Sequence, residues 1–241
     1  MRRGTRRPAG RDPVYDDSIN DPGEFGLELH VNTTPSGRSV PDYPGEVTPY
    51  HGWRVTPEFS WGLTKTLEAG LYLPLARDAE GQWGLAGVKL RLKWLPVQTE
   101  DGRGGFGGVN VEIGRISERY SLQRTAGEAR FIVGWRSADW LLVANPILGF
   151  ALSGPGAGQR PDFDLGLKAT HRLGEGISAG AEYYAATGPI GNPVPWQQQD
   201  NRLFAVIDVD RKPWIFNFGV GYGLTNAADR WTIKAIFELP L

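Results

Sequence analysis

From residue 24 onward the chain alternates apolar and polar residues in short stretches separated by turn-forming residues. "EFGLELHVN" sets Phe25, Leu27, Leu29 and Val31 against Glu24, Glu28, His30 and Asn32. "WRVTPEFSW" sets Trp53, Val55, Phe59 and Trp61 against Arg54, Thr56, Glu58 and Ser60. "GVKLRLKW" sets Val88, Leu90, Leu92 and Trp94 against Lys89, Arg91 and Lys93. The closing "RWTIKAIFELPL" sets Trp231, Ile233, Ala235, Phe237, Leu239 and Leu241 against Thr232, Lys234, Ile236 and Glu238. A period of two is that of a strand with two unlike faces. "DWLLVANPILGFAL" departs from it, being apolar on both faces.

The pattern predicts about twelve strands, each with roughly the 9–11 residues that a tilted membrane strand needs. Their connections alternate in length. Short ones fall near 62–66, 137–138, 173–176 and 210–212; longer ones span 34–52, 74–82, 115–125, 152–160 and 186–200. That is the rhythm of an outer-membrane barrel, with short periplasmic turns and longer outer loops. "LPVQTEDGRGG" at 95–105 is the exception, a long connection where a short one is due. An even strand number returns the C-terminus to the side of the N-terminal tail. The last strand then closes against "EFGLELHVN", leaving no free edge. Residues 1–23 read as a flexible leader, and residues 24–241 as one barrel domain.

Alternation alone does not say which face is inside, because a soluble sandwich also hides one face of each strand. Two features point to a transmembrane antiparallel up-and-down β-barrel, an all-β fold. First, aromatics fall at strand ends on the apolar face: Trp53, Trp61, Trp94, Trp135, Trp140, Trp214, Tyr222 and Trp231. Membrane barrels carry such girdles at both interfaces. Trp83 is out of parity with Trp94, and a bulge at Gly84 or Gly87 would restore it. Second, the other face carries Arg54, Glu58, Glu68, Lys89, Arg91, Lys93, Glu112, Glu128, Arg130, Asp164, Lys168, Glu182, Asp208 and Lys234. These residues are the expected lumen lining and the candidates for selectivity. Unpaired, such charges would cost several kcal/mol each in a dry core.

Composition narrows the picture further. The 241 residues suit one large all-β domain, and no cysteine is present. Disulfides and cysteine-based metal sites are therefore excluded. A net charge of −1 points to no nucleic-acid partner. Mean hydropathy is −0.34, and no apolar run approaches the ~18 residues of a spanning helix. Barrel strands keep average hydropathy low, so neither fact argues against a barrel. "MRRGTRRPAGRDPVYDDSINDPG" has no apolar segment of secretory type. That is the main support for the competing view, a soluble sandwich or lipocalin-like binder.

"FSWGLTKTLEAGLYLPL" and "GVGYGLTNAADRWTIKAIFELPL" share an aromatic-Gly-Leu-Thr element followed by a strand. In this the chain resembles the outer-membrane channel proteins associated with the meta-cleavage pathway of phenol degradation. The resemblance implies a barrel giving passive passage to small hydrophobic or aromatic molecules. Its implied setting is the outer membrane, with lipid, the barrel-insertion machinery and a small solute as partners. It supplies no catalytic residues and no cofactor. Leu241 stands where the usual insertion signal ends in an aromatic, and Phe237 has the right parity four residues earlier.

Catalytic chemistry is hard to place. A membrane hydrolase of Ser-His type needs its pair on one face. His171 and Ser178 have opposite parity, His30 and Ser60 sit at different heights, and His51 is in a loop. No metal site is predicted from histidines so isolated. "GRGGFGG" at 102–108 lacks the Lys-Ser/Thr and helix of a phosphate loop. Lys89, Arg91 and Lys93 form one row, either a basic ladder for anions or part of a salt-bridge network with Glu58, Glu68 and Glu112. The expected function is a passive channel. The alternatives are a closed structural or binding barrel and, from another class, an outer-membrane hydrolase.

Overall fold

The computed structural model describes residues 13–212 and 214–239 of the chain, without the Trp214 side chain. Twelve antiparallel strands form a closed barrel. They are β1 (Phe25–Ser36), β2 (Trp53–Thr64), β3 (Leu67–Tyr72, resuming as Leu75–Arg77) and β4 (Trp83–Leu85, resuming as Gly87–Val97). There follow β5 (Gly104–Ile116), β6 (Thr125–Arg136), β7 (Trp140–Ser153) and β8 (Asp162–Gly174). The last four are β9 (Ile177–Pro189), β10 (Asp200–Arg211), β11 (Trp214–Gly223) and β12 (Trp231–Leu239). Each strand pairs with its sequence neighbours, and β12 closes on β1 from Leu27↔Leu239 to Ser36↔Trp231. A 3-10 turn, Trp196–Gln198, lies in the β9–β10 loop.

Which face is inside is decided by β4. Leu90, Leu92 and Trp94 are 57%, 46% and 50% exposed, whereas Arg91 and Lys93 are 6% and 3% exposed. A water-soluble fold buries the apolar face; here the charged face is buried and the apolar face forms the outer surface. The same inversion holds on β5, where Val111 and Ile113 are exposed while Asn110 and Glu112 are buried. An apolar belt of this extent needs lipid, not water, against it. A cation placed in the belt should therefore be costly. Val111→Arg is expected to destabilise the barrel by roughly 2–4 kcal/mol, read as a lower urea midpoint in lipid vesicles; an unchanged midpoint would mean that Val111 does not face lipid.

Two irregularities in the pattern find their cause. Residues 85–89 oppose only 72–75 across the β3–β4 pair, so one extra residue bulges at Ala86–Gly87. The bulge returns Trp83 to the outer face, where it is 55% exposed. The long 95–105 connection shortens because β4 runs to Val97 and β5 begins at Gly104. Between them Glu100 and Arg103 pair, and Asp101 and Gly102 take the positive φ that a tight hairpin needs.

Candidate functional site: a charged lumen crossed by the N-terminal segment

Residues 13–23 lie within the span read as a flexible leader, and they enter the barrel. The chain turns at residues 21–24, held by Gly23 N–H to the Gly62 carbonyl (2.8 Å) and Gly62 N–H to the Glu24 carbonyl (3.0 Å). Gly62 is required there, since a Cβ would stand 2.1 Å from the Asp21 carbonyl oxygen. From this turn the segment climbs inside the wall. Asn20 donates its N–H to Glu68 (2.8 Å) and its side-chain amide to Ser60 (2.7 Å). Lys93 donates to the Ser18 carbonyl. Asp17 accepts from Arg136 (3.1 Å) and Thr99 (3.0 Å).

At mid-barrel the segment is held like a strand. Tyr15 N–H donates to Asn145 Oδ1 at 2.7 Å, and Asn145 Nδ2 donates to the Tyr15 carbonyl at 3.0 Å. Arg130 donates to the Pro13 carbonyl at 2.7 Å. The Tyr15 hydroxyl meets those of Tyr72 and the Glu112 carboxylate. Three cations surround its ring: Arg130 at 4.8 Å, Lys93 at 5.4 Å and Arg91 at 5.6 Å from the centroid. Val14 packs with inward-facing apolar side chains, among them Ile132, Leu141, Val143 and Phe204. The alternation predicts a polar lumen; the structure instead places an apolar patch in it, under the plug. The signal was present in "DWLLVANPILGFAL". A wall strand apolar on both faces has something apolar inside it.

The plug divides the lumen. A cavity of about 760 Å³ opens at the short-turn end, bounded above by Pro13, Val14 and Tyr15. A second, of about 200 Å³, lies toward the long loops, between Tyr72, Glu112, Arg130, Ile147 and Tyr184.

The fourteen charged positions predicted for the lumen lie on the inner wall, and most are engaged with one another. Arg91 bridges Glu58 (3.0 Å) and Glu68 (2.6 Å). Lys89 pairs with Glu112 at 2.5 Å, and Arg130 with Glu128 at 3.0 Å. Lys168 lies 3.0 Å from Asp208 and 3.8 Å from Glu182. Glu182, 1% exposed, also accepts from Lys234 and from the Tyr184 hydroxyl at 2.5 Å. Asp164 is buried and lines the outer cavity. Lys89, Arg91 and Lys93 therefore each face an acceptor rather than an open ladder. Arg54 differs: its contact is the Tyr120 ring, 5.5 Å from its Cζ.

Other neighbours emerge only in three dimensions. His30 Nε2 is 2.9 Å from Glu58 and 3.4 Å from Glu28, a cluster that could hold a cation. The adjacent Arg91 already supplies positive charge to Glu58, which favours the ion-pair network over a metal. His171 packs on Trp140 with ring centroids 4.6 Å apart, and Ser178 faces Arg172 across the β8–β9 pair. Of the expected girdle, Trp61, Trp94, Trp135 and Trp140 are exposed near the short-turn end, and Trp53 and Trp231 near the long loops, where Trp231 packs on Tyr222. The Trp214 side chain and Leu241 lie outside the described residues.

At the loop end the 37–52 loop is tied down. Arg38 N–H donates to Asp229 (3.2 Å), and its guanidinium grips Glu46 (2.7 Å). The hydrogen-bonded Glu46 carboxylate raises the Arg38 pKa above its ordinary value. Val47 N–H donates to the Arg119 carbonyl at 2.7 Å.

No protein-family model matches the chain, and no curated protein sequence matches it. Solved structures do. An outer-membrane channel from Pseudomonas putida F1 superposes with a TM-score of 0.65 at 10% identity, over 95% of this chain and 99% of that one. The NanC porin superposes with a TM-score of 0.58 at 10% identity, over 90% of this chain and 100% of the porin. The fold is that of outer-membrane β-barrels. At this identity the likeness is one of architecture, and function has to be argued from the lumen.

Proposed function

We propose that the chain is a passive channel for small solutes in a bacterial outer membrane, closed in the state described by residues 13–20. The observation that carries this is the pair of cavities, one toward each end of the barrel, parted by a single layer around Val14 and Tyr15. A barrel whose role was only structural would gain by filling its lumen. Here the cavities on both sides of the layer are lined by charged side chains, as a solute path requires. The paired charges give a lumen of nearly balanced sign, so selectivity rests on the few positions that break the balance. Residues 13–23 belong to the functional unit together with residues 24–241. The resemblance to meta-cleavage channels supports hydrophobic or aromatic solutes. The loops 34–52 and 186–200 shape the outer mouth.

Among the described residues the histidines and serines weighed for hydrolysis do not pair on one face, which supports transport over lipid hydrolysis. His171 and Ser178 point to opposite faces, and His30 is occupied by two carboxylates. Lipid and the insertion machinery are the expected partners in the membrane. Single-channel recording in planar bilayers tests the reading. Discrete current steps from the chain, or from a form lacking residues 13–20, are expected; silence from both would overturn it.

A further inference from the structure

We propose that a notch beneath the 37–52 loop is a binding site for the carboxylate of an organic anion, with Arg54 as its principal ligand-holding residue. This deepens the channel reading and rests on it for its biological meaning, though binding itself needs no conduction.

Three observations converge. First, among the described residues Arg54 is the one predicted lumen cation facing neither a carboxylate nor a carbonyl. Arg54 is half-buried, and a guanidinium that reaches the lumen with no carboxylate in contact keeps its fork of donors for an anion. Second, the notch holds charge of one sign only. Arg54, Arg77, Arg202 and Lys234 line it, with no Asp or Glu among its lining residues. Arg202 and Lys234 are neutralised from behind, by Asp200 and Asp229 and by Glu182. Third, Tyr120, 5% exposed and in the same wall, has a hydroxyl without a hydrogen-bond partner.

Size and shape set the ligand class. The notch has a cavity volume of about 40 Å³, room for more than one water and thus for a two-oxygen anionic group. A planar guanidinium is the cation best matched to a carboxylate, which it holds through two parallel hydrogen bonds. The notch shares Asn32, Arg54 and Tyr184 with the larger outer cavity. That cavity offers Pro74, Ile116, Ile147, Phe150 and Leu165 to a ligand body. The matching ligand is a monocarboxylate with a short apolar chain, its head on Arg54 and its tail toward Ile147.

The test uses the full chain in detergent micelles, with radiolabelled hexanoate and, as the uncharged isostere, hexanamide. Hexanoate is expected to bind, and hexanamide to bind at least about ten-fold more weakly, the effect of losing one charge-assisted pair. Arg54→Gln should weaken hexanoate by a similar factor and leave hexanamide unchanged. Arg54→Lys should retain part of the affinity, and Arg124→Gln, an exposed loop residue paired with Glu118, all of it. Heat-modifiable gel mobility confirms that each variant is a folded barrel. Equal binding of acid and amide, no binding of either, or hexanoate binding indifferent to Arg54→Gln, overturns the site. Binding without bilayer current refutes the channel reading alone; current without binding refutes the site alone.

Discussion

Deleting residues 13–20 will turn a low or intermittent current into a stable open level, at least several-fold larger, in planar bilayers. The increase follows from what the segment occupies. It separates the 760 Å³ inner cavity from the 200 Å³ outer one. Its removal also frees Asn145, Arg130 and Arg136, which hold its backbone and Asp17. The remaining wall keeps its own ion pairs, so the barrel survives the deletion. Milder changes should act in the same direction. Arg136→Gln removes the cation that grips Asp17 and should raise open probability without changing the open level. Intact folding with unchanged current in both forms would show that the constriction lies elsewhere.

The second large effect is energetic. Glu182→Leu should destabilise the barrel by about 3–5 kcal/mol, the cost of leaving a buried ammonium without its counter-charge. Glu182 serves Lys234, Lys168 and the Tyr184 hydroxyl at once. Lys168 keeps Asp208 when Glu182 is lost; Lys234 has no second carboxylate within ion-pair distance among the described residues. The double change Glu182→Leu with Lys234→Met should therefore recover much of the loss, because replacing a buried pair by apolar groups is often nearly neutral. A urea-denaturation cycle of the four forms in detergent checks this. Additive losses would mean that the two residues are not coupled.

The architecture was legible because a barrel wall imposes a period of two on every strand. Even the parity fault at Trp83 pointed to the Ala86–Gly87 bulge. The plug was not legible, because a segment bonded to side chains inside a lumen obeys no such period. Its trace is Val14 and Tyr15 standing in a polar leader, answered far away by the doubly apolar "DWLLVANPILGFAL". The cluster of His30 with Glu28 and Glu58 was hidden for another reason. It depends on the β1–β2 register, Glu28↔Glu58, and a long loop such as 37–52 leaves register unspecified where a two-residue turn would set it. Arg54 was visible as a lumen cation, but that no carboxylate touches it among the described residues is a property of the whole wall.

Photocrosslinking from position 15 tests the plugged lumen most directly. With p-azidophenylalanine in place of Tyr15, irradiation in lipid vesicles should give adducts within the same chain, on peptides carrying Tyr72, Glu112 and Asn145. Adducts to lipid or to a second copy of the chain, or none to these three strands, would contradict a lumen closed by its own N-terminal segment.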